Sequence, residues 1–424
     1  MIKRSFFGIA APRLTYDNIE DVRSEPVSVE PKQRVTLFID AAFKNAGDAL
    51  IKKGDSVAAG QRLQLLEDEP AGYTVSPVSG KISEISPFIG MMEKQRTAVV
   101  IDIEKEGGEA ADNGFREVSQ SPTLEGVARF LDVLPGKPDL ARFTDPHRPV
   151  KTIVILGADR DLMSVSSQYV IKTGVASIKS GIDILRKLTG VQNVVLTVAQ
   201  NQVQAAGSAA AGVRSVDNVY PSANPEMILR HQLHEQIEQG GIALLTAEAV
   251  AAMGEAFNSG TMPLEKVITA VKKDGTRKIV TAPIGTQVSD ILEAVGEKVQ
   301  AGDRLIAGGP MTGAALYSLE QPVEQDTDTV IVQGKDIIVE GTDTPCTNCG
   351  ECVRICPVNI PVNELVRYMD AGEYEQAAEN ASLFSCIECG LCAYVCESRI
   401  PIFQFIRLAK HAVNRMNAAE EANA

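Results

Sequence analysis

Among its 424 residues this chain has no cysteine before Cys346, no excess of positive charge and no long apolar run. Lys and Arg total 41 against 55 Asp and Glu, a net charge of −14. That balance excludes nucleic acid or an anionic lipid surface as the main partner, because both reward basic patches. The longest mostly apolar stretch, residues 242–253, carries Glu248 and is too short to span a bilayer. Near the N-terminus, Lys3 and Arg4 precede an apolar run that stops at Pro12 and Arg13, short of the core of a secretory signal. A cytoplasmic protein is the expectation. With 44% hydrophobic and 23% charged residues, wholesale disorder is excluded too. Length alone suggests about three domains.

The eight cysteines that are present fall into two runs of one spacing, C-x2-C-x2-C-x3-C. The first is Cys346, Cys349, Cys352 and Cys356; the second is Cys386, Cys389, Cys392 and Cys396. An iron–sulfur cube needs four converging thiolates, and two-residue spacing lets a tight loop wrap three of them around one corner. In two-cluster ferredoxins the fourth ligand comes from the other run. Cys346, Cys349, Cys352 and Cys396 are therefore assigned to one [4Fe–4S] cluster, and Cys386, Cys389, Cys392 and Cys356 to a second. Structural zinc prefers C-x2-C pairs across a longer span, and a disulfide framework wants an oxidising compartment and a small chain, so both rank below. Gly350 and Gly390 occupy the same place in the two loops, where the backbone must pass close to a cluster. Pro357 follows the first run, while Glu397 stands at the matching place in the second, with Pro401 beyond it. That difference should alter loop stiffness more than ligation. Helices are expected over 361–369 and 373–382, with a break at 370–372, and an amphipathic helix over 401–416 before a frayed tail at 417–424. Two clusters in one module lie close enough for tunnelling, so the module's task is to pass single electrons. Such clusters span roughly −700 to +450 mV, so the spacing does not set the direction.

The rest of the chain divides into three stretches. Residues 31–105 hold short alternating segments at 34–39, 61–66 and 97–103, punctuated by Gly54, Gly60 and Gly80, which reads as a small all-β unit. Its phrases at 53–61 and 76–82 resemble biotinyl/lipoyl-type barrel sandwiches. The hairpin tip between them, residues 67–72, has no lysine for a swinging arm, so a structural sandwich is expected. A glycine-rich acidic linker follows at 106–114. In the second stretch, 116–260, buried strands at 152–156 and 193–198 flank a mostly helical segment over 161–188, broken near Gly181, as in a parallel βαβ unit. Only Gly157 follows the first strand, which excludes a Rossmann fingerprint; a turn is expected there before a phosphate contact. His231 and His234 read as a solvated helix face rather than a metal pair. The third stretch, 261–335, is β-rich with one helix over 288–295. Its segment 296–305 shares the pattern G-[DE]-x-V-x-A-G-x-R-L with 54–63, and both should form one strand–turn–strand element. The phrase Gly308-Gly309-Pro310-Met311-Thr312-Gly313 makes a sharp turn and could also offer a contact surface.

Taken in order, these pieces resemble the RnfC family, found in the ion-translocating ferredoxin:NAD oxidoreductase. The resemblance runs from about residue 30 to 412 and is most specific at 308–313 and 386–396. The first stretch is also similar to the alpha subunit of the sodium-pumping NADH:quinone reductase. The second resembles the nucleotide domain, and the third the SLBB β-grasp domain, of the flavin subunit of respiratory complex I. The fold implied is multidomain α/β plus β: barrel sandwich (31–105), α/β domain (116–260), SLBB β-grasp (261–335) and helical two-cluster module (340–416). The resemblance implies a peripheral subunit on the cytoplasmic face of the inner membrane, with other Rnf membrane and Fe–S subunits as partners. A ferredoxin or cytochrome would exchange electrons with it, and two [4Fe–4S] clusters would carry them. In typical members FMN in the α/β domain accepts hydride from NADH. This chain departs from them there: the Gly-rich loop before the first strand is reduced to Gly136 within 134–147, and the acidic phrase after it reads Gly157-Ala158-Asp159-Arg160-Asp161. Tyr220-Pro221-Ser222 survives, followed by Ala223-Asn224 instead of glycines. No FMN or NADH residue is carried over, and electron relay without a normal nucleotide site is expected. The alternatives are a conventional NADH-oxidising FMN/Fe–S subunit, a microcompartment-type cobalamin or flavin reductase, and an adaptor with non-redox clusters.

Overall fold

A computed structural model describes residues 12–42, 49–67, 72–104, 111, 113–234 and 241–423. The hairpin tip at 67–72 and the linker at 106–114 fall largely outside these residues.

In the first unit the strands Arg34–Ile39, Gln95–Ile103, Gly80–Ile89 and Ser56–Val57 form one sheet, and Arg62–Gln64 pairs with Tyr73–Val75 in a second. Alternation explains the layering: along 34–39 every second residue is buried, so Val35, Leu37 and Ile39 meet Leu63, Leu65, Ile82, Val99 and Ile101 in one core. Each such aliphatic side chain contributes roughly 1.5–3 kcal/mol by leaving water. The repeated glycine pattern gives one turn in both copies. Gly60 and Gly302 take positive φ (81° and 91°), and the next side chain, Gln61 or Asp303, accepts from the amide three residues back. Only the first copy has a strand before that turn, Ser56–Val57.

The second unit exceeds the expected parallel pair. Four parallel strands lie in the order Gly212–Val216, Asn193–Ala199, Val150–Leu156, Gly241–Thr246. The apolar stretch at 242–253 proves to be a strand running into the helix Ala247–Ser259. The segment expected to be two helices is one, Ser166–Thr189, and residues 161–165 lie outside it. Gly181 does not break it. A Cβ at Gly181 would stand 2.0 Å from the Val250 carbonyl oxygen, and one at Gly254 2.0 Å from that of Ser177, so these glycines let the two helices touch backbone to backbone. The non-helical residue is Gly174. Gly157 likewise serves packing, since a Cβ there would stand 2.8 Å from Ile171 Cδ1.

A six-stranded sheet follows: Val27–Ser28, Arg277–Pro283, Glu265–Val271, Thr329–Gln333, Arg304–Ala307 and Ala314–Leu316, in that spatial order, with the helix Val288–Ala294 packed on it. Its edge strand comes from the N-terminal segment, which therefore ties the second and third units together. The C-terminal module is helical, with Val362–Asp370 and Tyr374–Asn380 close to expectation. The last helix, Ile402–Asn423, runs through the tail expected to fray. Residues 418–422 are all Ala or Glu, strong helix formers, and Arg415 Nη1 pairs with Glu93 Oε2 of the first unit at 2.6 Å.

Candidate functional site: two cysteine cradles beside a closed crevice

The two cysteine loops are backbone copies of each other. Asn348 and Glu388, each two residues after the first cysteine, take left-handed φ (56° and 53°) and turn their amides onto the Cys346 and Cys386 sulfurs, both at 3.4 Å. Gly350 and Gly390 follow, again left-handed, and cap the one-turn helices Glu351–Arg354 and Leu391–Tyr394. Asn359 and Arg399, three residues after the last cysteines, match as well (φ 56° and 52°), so Pro357 and Glu397 sit in equivalent turns. Cys346, Cys349, Cys352 and Cys396 line one cavity, and Cys356, Cys386, Cys389 and Cys392 line another. No disulfide forms among the eight. Among the described residues no group of His, Cys, Asp or Glu gathers tightly enough for a single metal ion. The cavities are therefore wider cradles than a tetrahedral zinc site, and they fit an iron–sulfur cube. Burial pushes the Cys352 thiol up to about 11 and the Cys389 thiol up to about 12. A thiolate there needs the compensating charge of iron. His231 and His234 are exposed and lie outside any such gathering.

The cradles differ in surroundings. Cys346 and Cys349 are exposed, whereas Cys389 and Cys392 are buried. The buried loop is held from three sides. Tyr220 Oη donates to the Cys389 carbonyl at 2.6 Å and Asn224 Nδ2 to that of Ile387 at 3.1 Å, both from the α/β unit. Gly390 meets the six-stranded sheet's 308–313 loop so closely that a Cβ would stand 2.6 Å from the Met311 carbonyl oxygen. From the last helix, Lys410 Nζ donates to the Cys386 carbonyl at 2.8 Å. The 308–313 phrase is thus both a turn and a contact surface: Asp161 accepts from the Thr312 amide (2.8 Å) and hydroxyl (2.6 Å), and Gly309 has no room for a Cβ against that carboxylate. Burial raises the Asp161 pKa, while those donors pull it back. The three units and the cysteine module enclose a cavity of about 290 Å³ lined by Arg160, Asp161, Tyr220, Glu388 and Arg407.

In open parallel sheets, nucleotides bind at the carboxyl ends of the strands and at helix N-termini. Here those positions are taken by the chain itself. Asp159, fully buried with its pKa raised by that burial, accepts from the Ser167 amide at 2.9 Å, at the N-terminus of the helix Ser166–Thr189. A strap of residues 14–19 crosses the strand ends. Leu14 accepts from the Tyr220 amide (2.8 Å), Tyr16 Oη accepts from the Ala223 amide (3.0 Å), and the Ile19 amide donates to Gln168 Oε1 (3.2 Å). The remaining cavity, about 220 Å³, is lined by Asp17, Asp159 and Asp217 with no Lys, Arg or His among the lining residues. Gly136 lies against the other helix N-terminus, where a Cβ would stand 2.4 Å from Thr246 Oγ1 and 2.6 Å from the Ala249 amide. These groups do not fit a flavin or nicotinamide-nucleotide phosphate: the helix end is already satisfied by a carboxylate, and the cavity is acidic.

Residues 345–400 match the family model of the 4Fe-4S dicluster domain, residues 19–106 that of the RnfC barrel sandwich hybrid domain, and residues 137–262 that of the NqrA second alpha/beta domain. The chain is an RnfC homologue. The RnfC protein from the ion-translocating oxidoreductase complex of Serratia proteamaculans is 25% identical over 80% of this chain and 51% of that protein, so the chain spans about half that relative's length. Its counterpart in the Na(+)-translocating ferredoxin:NAD(+) oxidoreductase complex of Acetobacterium woodii is 22% identical, covering 79% and 81%. The counterpart in the proton-translocating complex of Clostridium ljungdahlii is 22% identical, covering 87% and 85%. Among solved structures, the NAD+-reducing [NiFe]-hydrogenase in the H2-reduced state superposes at TM-score 0.43 with 12% identity, over 70% of this chain and 64% of that one, too loosely to carry an argument. As in RnfC, a barrel-sandwich domain and a 4Fe-4S ferredoxin-like domain flank mixed α/β structure. Sequence reasoning located the cysteines and the Tyr220 phrase. It missed the strap, Asp159 as a helix cap, and Lys410, which no local pattern marks.

Proposed function

We propose that this chain is the electron-relaying RnfC component of a membrane-associated, Rnf-type ion-translocating oxidoreductase, and that it does not take hydride from NADH itself. Cys346, Cys349, Cys352 and Cys396 hold one [4Fe–4S] cluster; Cys356, Cys386, Cys389 and Cys392 hold the other. When bound, each cluster takes up and returns a single electron. The chain's own residues do the rest: the exposed cradle is the port for a ferredoxin, a cytochrome or another Fe–S subunit, and Tyr220, Asn224 and Lys410 fix the buried loop. In this reading residues 31–105 are the barrel sandwich, 116–260 a degenerate nucleotide domain, 261–335 an SLBB β-grasp domain and 340–416 the two-cluster module. No described helix is long and apolar enough to cross a membrane. Ion translocation and attachment at the cytoplasmic face therefore belong to partner subunits.

The observation that carries this reading is the lining of the two cavities, each by three cysteines of one run and one of the other. The test is iron content and EPR of dithionite-reduced protein purified anaerobically. Wild type should hold about eight irons per chain, and single cysteine variants about four. Cys356→Ser should give the spectrum of Cys389→Ser, and Cys396→Ser that of Cys349→Ser. If Cys356→Ser matches Cys349→Ser instead, the shared ligation is wrong; if dithionite reduces neither cluster, the relay is wrong.

A further inference from the structure

The surroundings of the two cradles are unequal in charge as well as in burial. At the exposed cradle, Arg354 Nη2 donates to the Cys349 carbonyl at 3.1 Å, but its side chain is 55% exposed and also pairs with Glu351. At the buried cradle, Lys410 is 16% exposed, and its Nζ lies 2.8 Å from both the Cys386 carbonyl oxygen and Glu388 Oε1. Glu388 is shared with a second cation, Arg407, whose Nε is 3.7 Å from Oε2. One carboxylate thus faces two cations, which leaves net positive charge against the loop of Cys386 and Cys389. Both cations stand on one face of the helix Ile402–Asn423, so their positions are fixed by a rigid element.

Burial alone makes it harder for a cluster to gain an electron, since reduction adds negative charge where water is scarce. A partly buried cation opposes that penalty, and charge acts more strongly at low effective dielectric than at an exposed site. We infer that Lys410 is a positioning residue that sets the reduction potential of the cluster at Cys356, Cys386, Cys389 and Cys392, holding it above the value its burial would otherwise impose. This keeps the inner cradle within electron-accepting reach of the exposed one. The inference rests on the ligand assignment proposed above.

The test is an anaerobic, EPR-monitored redox titration of wild type, Lys410→Met and Lys410→Arg, with iron counted in each sample first. In Lys410→Met one of the two steps should move to lower potential while the other stays; Lys410→Arg, which keeps the charge, should recover most of the shift. Two intact clusters with both potentials unmoved in Lys410→Met overturn the inference, and so does Lys410→Arg falling as far as Lys410→Met. Wild type holding fewer than two clusters overturns the ligand assignment instead. If Lys410→Met loses its second cluster, Glu388→Gln decides: removing the negative partner should raise the same step, and no rise contradicts the inference.

Discussion

Lys266 has a fully buried side chain, unusual for a lysine, and its Nζ lies 2.8 Å from Asp328 Oδ1 while also pairing with Glu248. Burial alone would strip its proton, but Asp328 and Glu248 outweigh that and hold it charged. Because Glu248 belongs to the helix Ala247–Ser259 and Lys266 to the strand Glu265–Val271, one ammonium joins the α/β unit to the six-stranded sheet. Lys266→Met leaves two buried carboxylates without their partner and should cost about 3–5 kcal/mol in urea unfolding. The same cluster predicts an acid limb. Burial works against the Asp328 carboxylate, yet Lys266 and Arg160 bring its pKa below the usual range. Its contribution is therefore complete above the unfolded value, about 4, and is lost as pH falls through the depressed folded one. Asp328→Asn should flatten that part of the stability–pH curve; an unchanged curve would mean that other carboxylates carry the acid limb. Nothing local announced Lys266. A lysine at the start of a strand reads as solvated, and its partners stand 18 and 62 residues away.

At the scale of elements, glycine was the ambiguous signal. Near the middle of a helical pattern it reads as a break, yet Gly181 and Gly254 are where two helices meet with no room for side chains. Gly181→Ala should push Val250 away and cost about 1–3 kcal/mol, the usual range for overpacking. Gly174→Ala, whose nearest neighbours would be 3.9 Å away, should cost clearly less, and equal losses would refute the packing account. Alternation made Arg34–Ile39 legible, and the apolar runs at 152–156 and 193–198 were legible as buried strands. Gly212–Val216 escaped because most of its residues are not buried, so it offers no apolar run. Gly241–Thr246 was hidden inside a longer apolar stretch shared with the helix that follows.

For the whole molecule, the sequence disclosed the modules but not how they dock. The cysteine spacing, the barrel-sandwich phrases and the βαβ pattern are local features. The docking rests on contacts far apart in sequence: Tyr16 with Ala223, Asp161 with Thr312, Tyr220 with Cys389. The missing glycines of the nucleotide loop hinted at a lost phosphate site. Its physical form, a carboxylate at the helix end and a strap across the strand ends, emerges only in three dimensions. Together these features describe a chain that relays electrons between proteins while its own nucleotide crevice is closed. An anaerobic titration of cluster-replete protein with NADH, followed in the visible spectrum with dithionite as the control, tests that claim most directly. Dithionite should bleach the clusters and NADH should leave them oxidised. Bleaching by NADH would show that a nucleotide site survives in another form and would contradict the account.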